Sequence, residues 1–276
     1  MRFIERIGSF DRRYIFILIA LTAIIPLIFP IGMQITITPE VESIHDYIEE
    51  LPEGSAVLVA LDFDPAAQAE LYPMAIAVLR HAYAKKHRVI GMTMWLSGVT
   101  LGDKIMHESA EGLAEMDKDY SYLGYMVGGS LSIMRMGEDI GKVFNANYNG
   151  KPISEIPVMN GIKNYKDISL IIDLAAGATP ESWIVYAGTP HKVPVAIGVT
   201  AVSAVGYYPF LNSKQIIGLI GGMKGAAEYE KLIDSRGAAT GGMDSQSIAH
   251  TVIILLIIIA NVSYFSMRRR EKRSES

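Results

Sequence analysis

The sequence predicts an α/β domain with a doubly wound parallel sheet of about five strands, flanked by two transmembrane helices. Apolar runs of strand length alternate with segments of helical periodicity through the middle of the chain. Several of the runs are apolar throughout, which is typical of parallel strands covered on both faces. A long uncharged segment lies near each end. The alternation favours a flavodoxin-like or a Rossmann-like sheet, and both alternatives stay open here.

Composition narrows the class of protein. The 276 residues are 50% hydrophobic and 20% charged, with a formal net charge of −4 and no cysteine. This length supports a sizeable core, and the apolar content excludes a disordered chain. Without cysteine, the protein has no disulfide, no thiolate nucleophile and no cysteine-held zinc or iron–sulfur cluster.

Two uncharged segments predict the membrane anchors. Residues 14–33 and 251–267 carry no charged side chain, and we place the second helix at 248–267. About twenty helical residues cross a hydrocarbon core of about 30 Å, so both segments are long enough. A cleaved signal peptide is the alternative for the first segment. Its apolar stretch is long for that role, and no small-x-small cleavage site follows it.

Charge predicts the orientation. Residues 1–13 carry a surplus of two positive charges and residues 268–276 a surplus of three, which leaves −9 for the chain between them because the total is −4. Positive residues stay on the cytoplasmic side. We therefore expect both termini in the cytoplasm and the acidic domain, 34–234, outside the cell membrane, joined to the second helix by a flexible tether, 235–247. If a third uncharged stretch, 193–211, also crossed the membrane, the number of spans would be odd and the two positive ends would lie on opposite sides. We therefore interpret this stretch as a strand and its exit loop.

The first element of the domain is a helix that begins at Pro39, capped by Thr38, with a stripe of Val41, Ile44 and Ile48. The remaining elements follow in order: a strand at 56–62, a helix from 64 to the basic stretch 81–88, a strand at 89–95, a helix from 100 toward 116, a strand at 122–127, a helix from 130 to near 144, an irregular stretch at 145–166, a strand at 168–174, a short helix at 179–186, a strand at 193–201 and a last helix at 214–233.

Acidic residues at strand ends are the candidate catalytic groups, because ligands of such sheets bind beyond the carboxyl ends of the strands. The strand ending in Asp62-Phe63-Asp64 could hold Mg²⁺, or supply a nucleophile and an acid/base pair, and Asp173 is a further acid. This motif resembles the first motif of haloacid dehalogenase-type phosphatases, an apolar strand followed by Asp-x-Asp-x-Thr, and the resemblance implies phosphoryl transfer. Ala66 stands where that family has threonine. The alternative is that Asp64 caps a helix and Asp62 ends a strand in water.

Two glycine turns precede helix N-termini, where exposed backbone N–H groups can bind an anion. The candidate ligand-binding residues are Gly128, Gly129, Ser130, Gly177 and Thr179, and ordinary tight turns are the alternative. The six histidines show no His-x-x-x-His or Glu-x-x-His spacing. We therefore expect no metal site and no cofactor.

Glycines and aromatic residues near the last expected helix are candidate interface residues. Gly218, Gly221, Gly222 and Gly225 interleave two Gly-x-x-x-Gly spacings. They indicate either a docking face for another subunit or close packing of the helix on its own sheet. Tyr207, Tyr208 and Phe210 precede them and serve either as a buried lid or as interface anchors.

Polar residues within the two apolar segments predict how the spans pair. Thr22 and Asn261 are expected at similar depth in antiparallel helices, so that one bonds to the other. The alternatives are that Asn261 bonds to a helix of another protein or to its own helix backbone.

Taken together, these features favour a membrane-anchored, non-catalytic subunit, scaffold or receptor in an envelope membrane complex. Its expected partners are the lipid bilayer and other membrane subunits or a second copy, and no nucleic acid. The alternative is a domain that binds small ligands or performs Mg²⁺-dependent hydrolysis with its strand-end loops.

Overall fold

A computed structural model of the chain describes residues 11–29 and 31–274. The chain divides into two units. One is the α/β domain, Ile35–Ala239, and the other consists of the two terminal segments, Met1–Gln34 and Thr240–Ser276.

The domain contains a parallel sheet of six strands, one more than expected. The strands are β1 (Ala56–Asp62), β2 (Arg88–Thr93), β3 (Tyr120–Tyr125), β4 (Leu170–Ala175), β5 (Val195–Val199) and β6 (Gly218–Gly221). Their order is β3-β2-β1-β4-β5-β6, and every neighbouring pair is parallel. This is the order of a Rossmann-like sheet and not that of a flavodoxin-like one. The direction of winding reverses between β1 and β4, where sheets of this class bind ligands.

Helices and helical turns fill the connections. They are α1 (Arg12–Ile28), α2 (Pro39–Glu50), α3 (Gln68–Ala84), α4 (Val99–Ala110), α5 (Ser130–Met136), α6 (Thr179–Trp183), α7 (Thr189–His191), α8 (Ala201–Ala204), α9 (Tyr208–Asn212), α10 (Gly222–Leu232) and α11 (Ala238–Ser274). Both faces of the sheet are covered, and β1 is buried along its whole length. The apolar run that predicted this strand reflects that burial.

The expected last helix, 214–233, is wrong in its first half. Gly218 to Gly221 form β6, which pairs in register with β5 from Ala196 to Val199. The helix begins only at Gly222, with φ of +60°. Periodicity cannot separate a four-residue apolar strand from the helix that directly follows it, and the helical spacing of the four glycines was therefore misleading.

The predicted start of α2 at Pro39 and its buried stripe of Val41, Ile44 and Ile48 are confirmed, but the predicted cap is wrong, because the Thr38 side chain accepts no hydrogen bond from the first turn. Thr38 donates from both its backbone N–H and its hydroxyl to Glu228 Oε2, each at 2.7 Å. Glu228 is itself buried, on α10. These two bonds fasten the N-terminus of α2 to α10.

The terminal unit contains α1 and α11. Within the described residues, one helix is long and apolar enough to cross a membrane, the stretch Ala238–Ser266 of α11. Helix α1 has 17 described residues. The tether expected at 235–247 differs in the structure, because α11 already begins at Ala238. Asp244 is buried there and accepts hydrogen bonds from the backbone N–H groups of Gly32 and Met33, at 2.7 and 2.9 Å.

The expected pairing of Thr22 with Asn261 is wrong. Thr22 donates its hydroxyl to Ile19 of its own helix, at 2.8 Å. The hydroxyl of Ser245 donates to the backbone oxygen of Ala23, so residue 245 lies beside this part of α1. Asn261 is exposed and lies sixteen residues further along α11, a rise of about 24 Å. The predicted depths differ from the structure because Ser245, near the start of α11, lies beside Ala23 of α1.

Candidate functional site

Two carboxyl groups meet at the point where the winding of the sheet reverses. Asp62 is the last residue of β1, and Asp173 on β4 is in register with Ala60. Side chains two residues apart on a strand point to the same face, so Asp62 and Asp173 project from the same face of neighbouring strands. Both are fully buried. The structure therefore brings together two of the three acids predicted from the sequence.

The carboxylate of Asp62 has protein donors on one oxygen only. Asp62 Oδ1 accepts from the backbone N–H of Met94 at 2.6 Å and from the hydroxyl of Thr93 at 3.3 Å. Both donors lie at the carboxyl end of β2. Asp62 Oδ2 and both carboxyl oxygens of Asp173 lack a hydrogen-bond partner within the part of the chain that the structure describes.

Burial changes the protonation of the pair. Desolvation raises the pKa of Asp62 to about 6, against the hydrogen bonds from Met94 and Thr93, which favour its charged form. Desolvation also raises the pKa of Asp173 well above its usual value, and the negative charge of Asp62 raises it further. The two carboxyl groups titrate as a coupled pair, and burial favours the uncharged form of both.

Loops from four strands cover these carboxyl groups. A Cβ atom on Gly177, after β4, would lie 3.0 Å from Cζ2 of Trp95, after β2. The hydroxyl of Tyr207, after β5, donates to the backbone oxygen of Gly177 at 3.3 Å. At Gly98 a Cβ atom would lie 2.2 Å from the backbone oxygen of Phe63, directly after β1. The strand-end loops thus pack against one another above the buried pair.

Asp64, the third predicted acid, does not join the pair. Its side chain accepts from the backbone N–H of Ala66 at 2.9 Å, before a 3₁₀ turn that begins at Pro65. This is the geometry of a helix cap, one of the two alternatives for the Asp-x-Asp motif. The same alternative predicted that Asp62 ends its strand in water, but Asp62 is fully buried.

The first glycine turn has the conformation of a tight turn. Gly128 and Gly129 have φ of +102° and +53°, values that favour glycine. The hydroxyl of Ser132 donates to the backbone oxygen of Val127 at 2.6 Å. Ser130 Oγ lies 3.0 Å from Oγ of Ser182 on α6, so the turn is joined to the helix after β4.

The second turn lies next to the acid pair. Thr179 begins α6, and its hydroxyl is buried without a hydrogen-bond partner in the described chain. Gly177 lies against Trp95. Of the five candidate ligand-binding residues, Gly177 and Thr179 thus lie in the loop that follows the strand of Asp173.

The four candidate interface glycines contact their own domain. A Cβ atom on Gly218 would lie 2.4 Å from Cγ1 of Ile44, and one on Gly225 would lie 2.9 Å from Cγ2 of Ile220. A Cβ atom on Gly221 would lie 3.1 Å from Cβ of Ala204, and one on Gly222 would lie 2.6 Å from Cβ of Ala201, both alanines being on α8. Close packing within the domain accounts for these glycines.

The aromatic residues near β6 also have partners within the domain. Tyr207 is buried, and its ring lies 5.9 Å from that of Phe210. Tyr208 is partly exposed and donates its hydroxyl to Glu40 Oε1 at 2.8 Å.

Sequence reasoning missed an apolar patch at the carboxyl edge of the sheet. Six large apolar side chains of the domain are more than half exposed, and all six lie in the loops or short helices that follow β2, β3 and β5. They are Leu96, Val127, Leu131, Met134, Val202 and Val205, here called the edge patch. In the sequence, the signal for this patch was the presence of aliphatic residues shortly after the strand ends. Its exposure cannot be read from the sequence, because buried lids have the same composition.

Sequence reasoning also missed a cluster of possible metal ligands. His45, Glu49 and His81 each offer one ligand atom, and these atoms lie within 4.8 Å of one another. His45 and Glu49 are four residues apart and share one face of α2. That spacing was visible in the sequence, but the contribution of His81 from α3 depends on how two helices pack.

Comparisons of the chain with protein-family models, curated proteins and solved structures found no match to any of them. The fold places the domain in the class of doubly wound α/β sheets with Rossmann-like strand order. This class hosts many functions, so the function has to be argued from the sites.

Proposed function

We propose that the protein is a membrane-anchored, non-catalytic subunit of an envelope membrane complex, and that the edge patch contacts another membrane protein subunit. The observation that carries this proposal is the placement of every large apolar side chain of the domain that is more than half exposed at one edge of the sheet. Val202 is 90% exposed and Val205 74%. Exposed apolar side chains gathered at one edge of a folded domain indicate an interaction site.

The buried acid pair supports a non-catalytic role. In this fold class the ligand crevice lies beyond β1 and β4. Here the side chains at that point are fully buried, and Trp95 and Tyr207 pack against the loop at Gly177 above them. At the edge where such sheets bind ligands, the acid pair of this chain is buried beneath the strand-end loops. The exposed side chains of the edge patch, at the same edge, are apolar.

The anchoring follows from the terminal segments. The apolar stretch of α11 supports one membrane span, and the uncharged residues 14–33 supply the second in our proposal. The positive surplus at both ends places both termini in the cytoplasm and the domain on the opposite side.

The proposal is tested by placing charge on the edge patch. Val202→Glu combined with Val205→Glu leaves the core intact because both side chains are exposed. We expect the mass of the assembly purified in mild detergent, measured by light scattering, to fall to that of one chain. The matched control is Leu113→Glu, an exposed apolar residue that follows α4 at the opposite edge of the sheet. An assembly of unchanged mass, or one disrupted equally by the control, contradicts the proposal.

A ligand site at the acid pair is the second candidate function. The observation that favours it is the set of unpartnered oxygens, Asp62 Oδ2, both carboxyl oxygens of Asp173 and the Thr179 hydroxyl, at the reversal point of the sheet. Carboxylate and hydroxyl oxygens suit Mg²⁺. A rise in melting temperature with Mg²⁺, phosphate or a nucleotide that is abolished by Asp62→Asn supports this candidate. Absence of any shift removes it.

A further inference from the structure

We propose that His45, Glu49 and His81 form a binding site for a divalent transition metal ion such as Zn²⁺, on a part of the domain separate from the carboxyl edge. His45 and Glu49 are one turn apart on α2, and His81 lies in the last turn of α3. Two imidazoles and a carboxylate are ligands that suit zinc.

The distances between the ligand atoms fit one metal ion. Nε2 of His81 lies 2.9 Å from Oε1 of Glu49, and Nε2 of His45 lies 3.9 Å from the same oxygen. In a tetrahedral zinc site, metal–ligand distances of 2.0–2.2 Å place the ligand atoms about 3.3 Å apart. The two distances lie on either side of that value, and all three ligand atoms lie within 4.8 Å of one another.

The second nitrogen of each imidazole already has the partner that a metal-bound histidine needs. Nδ1 of His45 lies 3.0 Å from Oδ1 of Asp46, and Nδ1 of His81 lies 2.8 Å from the hydroxyl oxygen of Tyr229. A ligating histidine donates its other ring N–H to such a group, which fixes the tautomer and the direction of the ring. Both rings therefore present Nε2 to the same point.

Glu49 is held in the same way. Lys85 forms an ion pair with Oε2 of Glu49, which leaves Oε1 directed toward the two histidines. His81 is buried, whereas about a third of the Glu49 side chain is exposed. The cluster lines a groove of about 550 Å³ that also includes Arg80 and Asp234. Three protein ligands and one position open to this groove match the coordination of a zinc site that binds water or another molecule as its fourth ligand.

The rings of His45 and His81 are stacked, with centroids 4.7 Å apart and planes at 18°. Two imidazoles from different helices therefore lie side by side. A cation bound by both of them would join α2 to α3.

The test is titration of the full-length chain, purified in detergent without a histidine tag, with Zn²⁺ in a calorimeter. We expect one Zn²⁺ bound per chain, a rise in melting temperature on binding, and at least about 10-fold weaker binding in His45→Ala and in Glu49→Gln. The matched control is His107→Ala, because His107 is exposed and also lies one turn from an acid, Asp103, on its own helix. This variant should bind Zn²⁺ as the unmodified chain does.

Each variant is compared with the unmodified chain for its melting temperature without metal. If one variant does not fold, the other decides, since Glu49→Gln keeps the shape of the side chain and a hydrogen bond to His81. No binding at micromolar Zn²⁺, unchanged binding in the folded ligand variants, or equal loss in His107→Ala overturns the proposal.

Discussion

Asp173 lies on the strand next to Asp62, in register with Ala60, and the negative charge of Asp62 raises the pKa of the Asp173 carboxyl. Neither residue is exposed. Two buried carboxyl groups at the reversal point of the sheet disfavour each other's charged form, because neither charge is solvated by water.

This pair makes the stability of the domain depend on pH. Folding raises the pKa of Asp62 from about 3.8 to about 6 and that of Asp173 further, so the native state binds protons more tightly than the unfolded state. Their contribution to stability is complete below the unfolded pKa values and is lost as the pH rises through the folded ones. Asp173→Asn cannot ionise. We expect its melting temperature to match that of the native chain near pH 4 and to exceed it near pH 8.

The control for this experiment is Asp64→Asn, since asparagine also caps helices and Asp64 is outside the pair. Its pH profile should follow the native one. If the profiles of Asp173→Asn and the native chain run parallel between about pH 4 and pH 8, the carboxyl of Asp173 does not titrate as described.

Gly218 tests the close approach of β6 to α2. A Cβ atom there would lie 2.4 Å from Cγ1 of Ile44 and 2.5 Å from the backbone oxygen of Glu40, and the backbone atom cannot move without shifting the helix. We expect Gly218→Ala to lower the free energy of unfolding by about 1–3 kcal/mol. Denaturant unfolding measures it.

Gly206 is the matched glycine. A Cβ atom there meets nothing within 4 Å, so Gly206→Ala should leave stability unchanged or raise it by up to about 1 kcal/mol. Equal effects at the two positions would falsify the packing of Gly218 on α2. Loss of assembly in Gly218→Ala without loss of stability would instead return the glycines to a docking role.

Topology is tested by labelling single cysteines, which the absence of natural cysteine makes clean. The substitutions are Ser9→Cys, Ser154→Cys and Ser274→Cys. The positive surplus at both ends predicts that an impermeant thiol reagent labels only residue 154 in intact cells. Labelling of residue 9 or 274 in intact cells contradicts the two-pass orientation.

The sequence was informative where burial alone determines the pattern. The seven residues of β1 are all buried, and their apolar run predicted a covered parallel strand correctly. Strand β6 was missed because its four residues are short and run directly into α10. The four glycines from Gly218 to Gly225 have helical spacing, but two of them lie in a strand and two in a helix. A pattern of spacing cannot show where the strand ends and the helix begins.

The sequence indicated which residue types form the candidate sites, but not which of these residues contact one another. Acidic residues at strand ends indicated Asp62 and Asp173 separately, yet their contact depends on β4 lying beside β1, which is a matter of strand order. His81 meets His45 and Glu49 only because α3 packs near α2. Exposure of Val202 likewise depends on how the strand-end loops pack beneath it.

Site-specific photo-crosslinking in intact cells shows whether the edge patch is a docking surface. A photoreactive amino acid replaces Val202 in one variant and Leu113, at the opposite edge, in another. We expect a covalent adduct with a membrane protein, or with a second copy of the chain, from position 202 and none from position 113. If no protein adduct forms at 202, or if both positions give adducts in equal yield, the edge patch is not a docking surface.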